Sequence, residues 1–385
     1  MGHVRGSRRR FAPGCDRLEE RMVMSAFTAT VSPIPNAVVS ELAPMGFLTS
    51  APSLGATTPT STAGFIGKLP TAPSTSVSTI PANGDLNPYG VAKVPRGFLV
   101  TNFNSSSNLQ GTGTTLQKVF LNGATKTWYS APKGFGLSGA IGVLSKGFVF
   151  VGSVPTTDGT SATVQQGSLI VLNRYGQAIA NLKNPKLLDG PWGMTVSDHG
   201  DTAQLYLSNV LNGTVTRLDV VIQNGRPDIT SATTIASGYT TQTSTAALVL
   251  GPAGLAYDAQ TGVLYVASTA DNAIYAIAAA ATRTSAADKG TVVVQNDGKL
   301  QGPIGLAFAP NGDLLVTNGD AVSASANEPS LLLEYTTAGK YVNSLSLDSS
   351  QGAAFGLAIK TVGNEYWLGT VNDATNTLDI RKVSR

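Results

Sequence analysis

Histidine occurs twice in the 385 residues, at His3 and His199, and the single cysteine is Cys15. Those numbers bound the chemistry. Zinc held by imidazole and thiolate needs three or four such ligands at set spacings, and the sequence does not supply them. His199 stands in the run Ser197-Asp198-His199-Gly200-Asp201, a turn between two apolar stretches. A histidine base needs a nucleophile within hydrogen-bond reach and an orienting acid behind it, whereas Ser197 and Asp198 are simply its neighbours in the turn. There is no Gly-x-Ser-x-Gly elbow, phosphate-binding glycine loop or His-Glu-x-x-His pair. A lone cysteine leaves no disulfide within the chain.

What remains is oxygen chemistry. Asp271 beside Asn272, Asp320 beyond Asn318, and Asp373 beside Asn372 supply carboxylates and amides in short polar loops. Calcium is the cofactor such hard ligands hold. Asn and Asp also cap turns by bonding their own backbone, so these loops have a structural reading as well as a metal-binding one.

The elements that position these loops repeat. Glycines at 90, 142, 193, 254, 305 and 356 each open an apolar run, followed by a turn and a second apolar run that ends in a polar loop. Their intervals are 52, 51, 61, 51 and 51 residues, a period that marks a propeller array. Each repeat has room for four short strands rich in Val, Leu, Tyr and Thr, separated by turn residues. The expected fold is therefore all-β: a six-bladed propeller of four-stranded antiparallel blades. The sixth repeat ends one strand short at Arg385, so the run Ser74–Ile80 is expected to complete the last blade and close the ring. This divides the chain into a basic tail (1–26), a linker rich in Ser, Thr, Pro and Ala (27–73) and the propeller (74–385). The 42 glycines and 13% charged residues suit a turn-rich sheet protein, and no apolar stretch is long enough to span a bilayer.

In such a meander the loop entering the first strand and the loop joining the second to the third lie at one end. The residues before the six glycines, Tyr89, Ile141, Trp192, Ala253, Ile304 and Phe355, should therefore ring the mouth of the central channel. Asn102, Asn209 and Asn318 should lie beside them. An aromatic ring flanked by amides suits binding of a small molecule or a protein; the same side chains could instead plug the channel.

Residues 1–22 carry Arg5, Arg8, Arg9, Arg10, Arg17 and Arg21 against Asp16, Glu19 and Glu20, a net +3 that equals the charge of the whole chain. The propeller itself is neutral overall, which argues against a nucleic-acid surface. The stretch from Arg8 through Leu18-Glu19-Glu20-Arg21 to Ser25-Ala26 resembles the N-terminal motif of exported proteins of planctomycete-type bacteria. That resemblance implies an extracellular or cell-envelope location.

The phrase Gly302-Pro303-Ile304-Gly305-Leu306-Ala307, echoed from Gly251 to Ala256, is similar to the NHL repeat and to gluconolactonase-like six-bladed propellers, over residues 87–385. Lactonases of that group place a metal-binding Asn or Asp before some repeat glycines, and its lyases use histidine-bound zinc. Neither pattern is found at Tyr89, Ile141, Trp192, Ala253, Ile304 and Phe355. The expectation is a binding module acting through the channel mouth, with a calcium-dependent hydrolase using Asp271, Asp320 or Asp373 as the alternative.

Overall fold

The computed structural model describes residues 64–318 and 328–385, all within one unit, Thr62–Arg385. The export-like tail, most of the linker and Asp320 lie outside the described residues. Six sheets of four antiparallel strands follow one another in chain order. Their inner strands are Leu86–Val94, Leu137–Val143, Pro191–Asp198, Pro252–Asp258, Gly305–Phe308 and Ala354–Val362. The only helical elements among the described residues are two short 3-10 turns, Ile66–Lys68 and Ser161–Thr163. Alternating side chains from neighbouring blades interleave, so the core is a series of inter-blade layers. One such layer joins Phe150, Leu169 and Val171 to Leu205, Leu207 and Leu218.

Ring closure follows the expected route. Thr75–Ser78 pairs antiparallel with the last strand, Thr377–Ser384. Val77, opposite Leu378, is the one buried residue of these four. The added strand covers an edge that the last blade would otherwise present to solvent. A second fastening lies just upstream. Residues 64–73, assigned to the linker from sequence, pack on the ring: Phe65, Ile66 and Leu69 join Leu315, Leu332, Leu357 and Leu368. The fully buried Glu334 carboxylate accepts the backbone N–H groups of Phe65 (2.6 Å) and Ile66 (2.7 Å) and the Asn311 side-chain amide (2.9 Å).

The second repeat is offset from its neighbours. Leu137 pairs with Ser153 as Pro88 pairs with Asn102, and Ile141 stands opposite Val151 as Val91 stands opposite Val100. One extra residue is taken up between these points, so Gly142 lies beyond the position of the other repeat glycines. The longest interval also has a structural cause: a small hairpin, Gln242–Ser244 with Leu248–Leu250, precedes the fourth blade.

Removing residues 64–80 takes away both fastenings. The shortened protein is expected to melt at least ~10 °C lower and to self-associate through the exposed edge, as read by thermal denaturation and light scattering. Burial and the neighbouring Glu334 push the Asp313 carboxyl up to about 6. The protonated form is therefore favoured by folding, and this contribution is lost as pH rises through about 6. Asp313→Asn should raise the melting temperature by a few degrees at neutral pH and leave it unchanged in acid, below the ordinary carboxylate pKa. Calorimetry across that range measures the difference.

Candidate functional site

The repeat glycines are where the inner strands approach most closely. A Cβ on Gly193 would meet the carbonyl oxygen of Ala253 at 2.1 Å, one on Gly254 that of Ile304 at 2.5 Å, and one on Gly305 that of Phe355 at 2.4 Å. A Cβ on Gly356 would meet the Tyr89 carbonyl oxygen at 2.4 Å, which carries the contact across the ring closure. A side chain at these positions would strike backbone, which cannot move aside as a flexible side chain can.

Hydroxyls at the ends of the second strands tie the blades together at this waist. Thr101 Oγ1 accepts from the Gly90 N–H (2.9 Å) and donates to the carbonyl of Ser138 on the next blade (2.9 Å). Ser208 does the same between Gly193 and Ala253, and Thr317 between Gly305 and Phe355. These hydroxyls are all buried. They were not singled out from sequence; the signal was the Ser/Thr-Asn pair closing the second strand of the first, third and fifth repeats.

The Asn of each pair faces the loop that leads into its own blade. The Asn102 amide donates to the Thr79 carbonyl, Asn209 to that of Leu187 and Asn318 to that of Lys299. Asn209 and Asn318 also accept from the backbone of Asp189 and Gln301. All three are buried and fix loops.

Above the waist, the predicted mouth residues meet one another. Tyr89 stacks on Phe355 with ring centroids 4.4 Å apart, Trp192 stands edge-on to Tyr89 at 5.4 Å, and Phe103 touches both Tyr89 and Trp192. Trp192 Nε1 donates to the Tyr89 hydroxyl at 3.0 Å. Room for this cluster comes from the second blade, where Gly139 lies beneath Tyr89: a Cβ there would come within 2.9 Å of the ring. Ile304 and Ala253 complete the layer. Leu248 and Val249 of the inserted hairpin pack into the same cluster, filling space beside the small Ala253. Gln110, from the first blade, donates to the Ala246 carbonyl in the hairpin turn. Tyr89, Trp192, Ala253, Ile304 and Phe355 are only 2–7 % exposed. Ile141 is not part of this cluster; it packs with Val94, Leu99 and Val149 between the first two blades.

Below the waist the channel widens. A neck of about 70 Å³ between the repeat glycines leads to a cavity of about 920 Å³ at the end where first and second strands turn back. Val91, Met194, Leu255, Leu306 and Leu357 border both spaces. Tyr257, Phe308 and Ile359 stand further out on the same inner strands, with Lys93, Lys360 and Asp198 towards the turns. The sequence reading places ligand binding at the opposite end, where the loops converge. The cavity walls come from the first and third residues after the repeat glycines, whose side chains follow the inner strand away from the waist.

The remaining candidates are engaged elsewhere. Asp271 accepts from Lys289 (2.7 Å), Thr240 and Ser268. Burial opposes its charge, but these hydrogen bonds outweigh burial and hold its pKa below the usual carboxylate value. Burial pushes Asp373 up to about 6, which favours the neutral acid. No three His, Cys, Asp or Glu side chains gather into a metal-binding group among the described residues. Asp271 and Asp373 are thus not gathered with other acidic side chains, and Asp320, the third calcium candidate, lies outside the described residues. Ser197 Oγ and His199 Nε2 lie 3.1 Å apart, while the Asp198 carboxylate accepts from the backbone of Ser145 and Gly200 and does not orient the imidazole.

Replacing Trp192 by Ala removes the centre of the aromatic cluster and should destabilise the protein by about 3–5 kcal/mol. Trp192→Phe keeps much of the packing, loses the bond to Tyr89 and should cost about 1 kcal/mol. Denaturant unfolding of the two variants measures both.

No protein-family model matches the sequence, and comparison with curated proteins gives no match. Solved structures do share its form. A candidate gluconolactonase superposes with a TM-score of 0.51 at 14% identity, covering 83% of this chain and 94% of its own. A gluconolactonase from Xanthomonas campestris gives 0.51 at 13%, covering 78% and 87%. The calcium-binding protein regucalcin from Agrobacterium tumefaciens gives 0.48 at 12%, covering 77% and 90%. The chain is a six-bladed β-propeller with gluconolactonase-like structural neighbours.

Proposed function

We propose that this protein is a binding module that takes a small, largely apolar ligand into the cavity below the glycine waist. One observation carries the reading: the aromatic cluster fills one end of the channel, while the other end holds about 920 Å³ of space walled mainly by aliphatic and aromatic side chains. A pocket of that size, walled by apolar side chains with polar groups towards its rim, is the usual form of a small-molecule site. The export-like tail supports placing this binding outside the cytoplasm.

The hydrolase alternative draws on the structural neighbours, but a shared propeller does not transfer an activity. It would need oxygen ligands at the mouth, where the residues preceding the repeat glycines are buried and carry no carboxylate or amide. We therefore favour binding.

N-phenyl-1-naphthylamine, a neutral apolar fluorophore, should bind with enhanced emission. Leu306→Trp, which fills the upper cavity, should weaken that binding at least ~10-fold, the equivalent of about 1.4 kcal/mol. Equal binding by Leu306→Trp, or calcium-dependent stabilisation reversed by a chelator, would contradict the reading.

A further inference from the structure

The charges around the cavity are one-sided. Lys93, Arg96, Lys118, Arg174 and Lys360 line it, against Asp198 alone. This asymmetry is local, because the net +3 of the chain is already accounted for by residues 1–22. None of the five cations belongs to an ion pair among the described residues, where the pairs are Lys146–Asp201, Arg217–Asp219 and Lys289–Asp271. Asp198 accepts from two backbone N–H groups, and its single charge leaves the five cations in excess.

Lys93 and Lys360 form the most specific part of this arrangement. They stand near the C-terminal ends of adjacent inner strands, on the first and sixth blades. Lys360 is half-buried and its Nζ donates to the Val94 carbonyl at 2.7 Å, which fixes its position across the ring closure. Burial, and then the charge of Lys93, hold the Lys360 pKa below its ordinary value. Two like charges near an apolar chamber repel each other and are poorly solvated there. An anion placed between them relieves both costs.

Resting on the binding reading above, we propose that the cavity takes an amphipathic organic anion. Its apolar body lies against Met194, Leu255, Leu306 and Leu357, and its single acidic head meets Lys93 and Lys360. The walls explain the preference. Uncharged hydrogen-bonding side chains in the lining are few, chiefly Ser145, Thr195, Trp128 and Tyr257, too sparse to replace the hydration of a sugar. A nucleic-acid backbone needs a basic track across the surface, whereas these cations border an apolar hollow.

The test compares two fluorophores that share one aromatic body: 1-anilinonaphthalene-8-sulfonate, which is anionic, and neutral N-phenyl-1-naphthylamine. The anion is expected to bind the full-length protein at least ~10-fold more tightly, to weaken with added salt, and to be displaced by decanoate but not by decyltrimethylammonium. Lys93→Met, at an exposed position, should abolish the preference while leaving the neutral probe unchanged. Lys360→Met should do the same, with its melting curve showing whether the fold survives loss of the bond to Val94. Equal affinities, unaltered by Lys93→Met, overturn the preference for an anion and leave the cavity reading intact. If neither probe binds, both readings fall.

Discussion

The close approach of neighbouring inner strands at the repeat glycines is the constraint on which the rest of this propeller depends. Gly90, Gly193, Gly254, Gly305 and Gly356 each lie so near a backbone carbonyl of the next blade that a Cβ would not fit. Bringing the backbones together narrows the channel to a waist and places hydroxyls such as Thr101, Ser208 and Thr317 where one group serves two blades. Side chains preceding the glycines are gathered above that waist and those following it below. The two ends of one channel thus acquire opposite characters: packed with aromatic and aliphatic side chains above, hollow and cationic below.

Irregularities in the repeat make the closed end fit. A ring of six identical large side chains could not share the mouth. The second blade withdraws its side chain at Gly139, which admits Tyr89, and the fourth offers only Ala253, beside which the inserted hairpin places Leu248 and Val249. Trp192 then reaches Tyr89 closely enough to share a hydrogen bond. Filling a channel this way contributes packing and aromatic contacts that a water-filled pore would lack.

Much of the fold was legible because a propeller writes its period into the sequence. Glycine spacing showed the blade number, and the incomplete last repeat located the closing strand around Val77. Several features escaped that reading. The offset of Gly142 was hidden because it falls at a plausible spacing, and only strand register separates it from the nearby Gly139. The site was harder still: by composition Tyr89, Trp192 and Phe355 suit either a binding mouth or a plug, and whether aromatic rings face solvent or one another depends on the diameter of the ring and on what covers it. Lys93 and Lys360, from the first and last repeats, become neighbours only when the ring closes.

The central claim is that ligand binding and channel packing occupy opposite ends of the same waist. A crystal structure of the protein with 1-anilinonaphthalene-8-sulfonate tests it most directly. The account predicts the naphthyl rings against Leu306 and Met194 with the sulfonate at hydrogen-bond distance, ~3 Å, from Lys93 and Lys360, and Tyr89, Trp192 and Phe355 still stacked together. A ligand lodged among those three aromatic rings, with the 242–250 hairpin displaced and the lower cavity filled only by solvent, would contradict it.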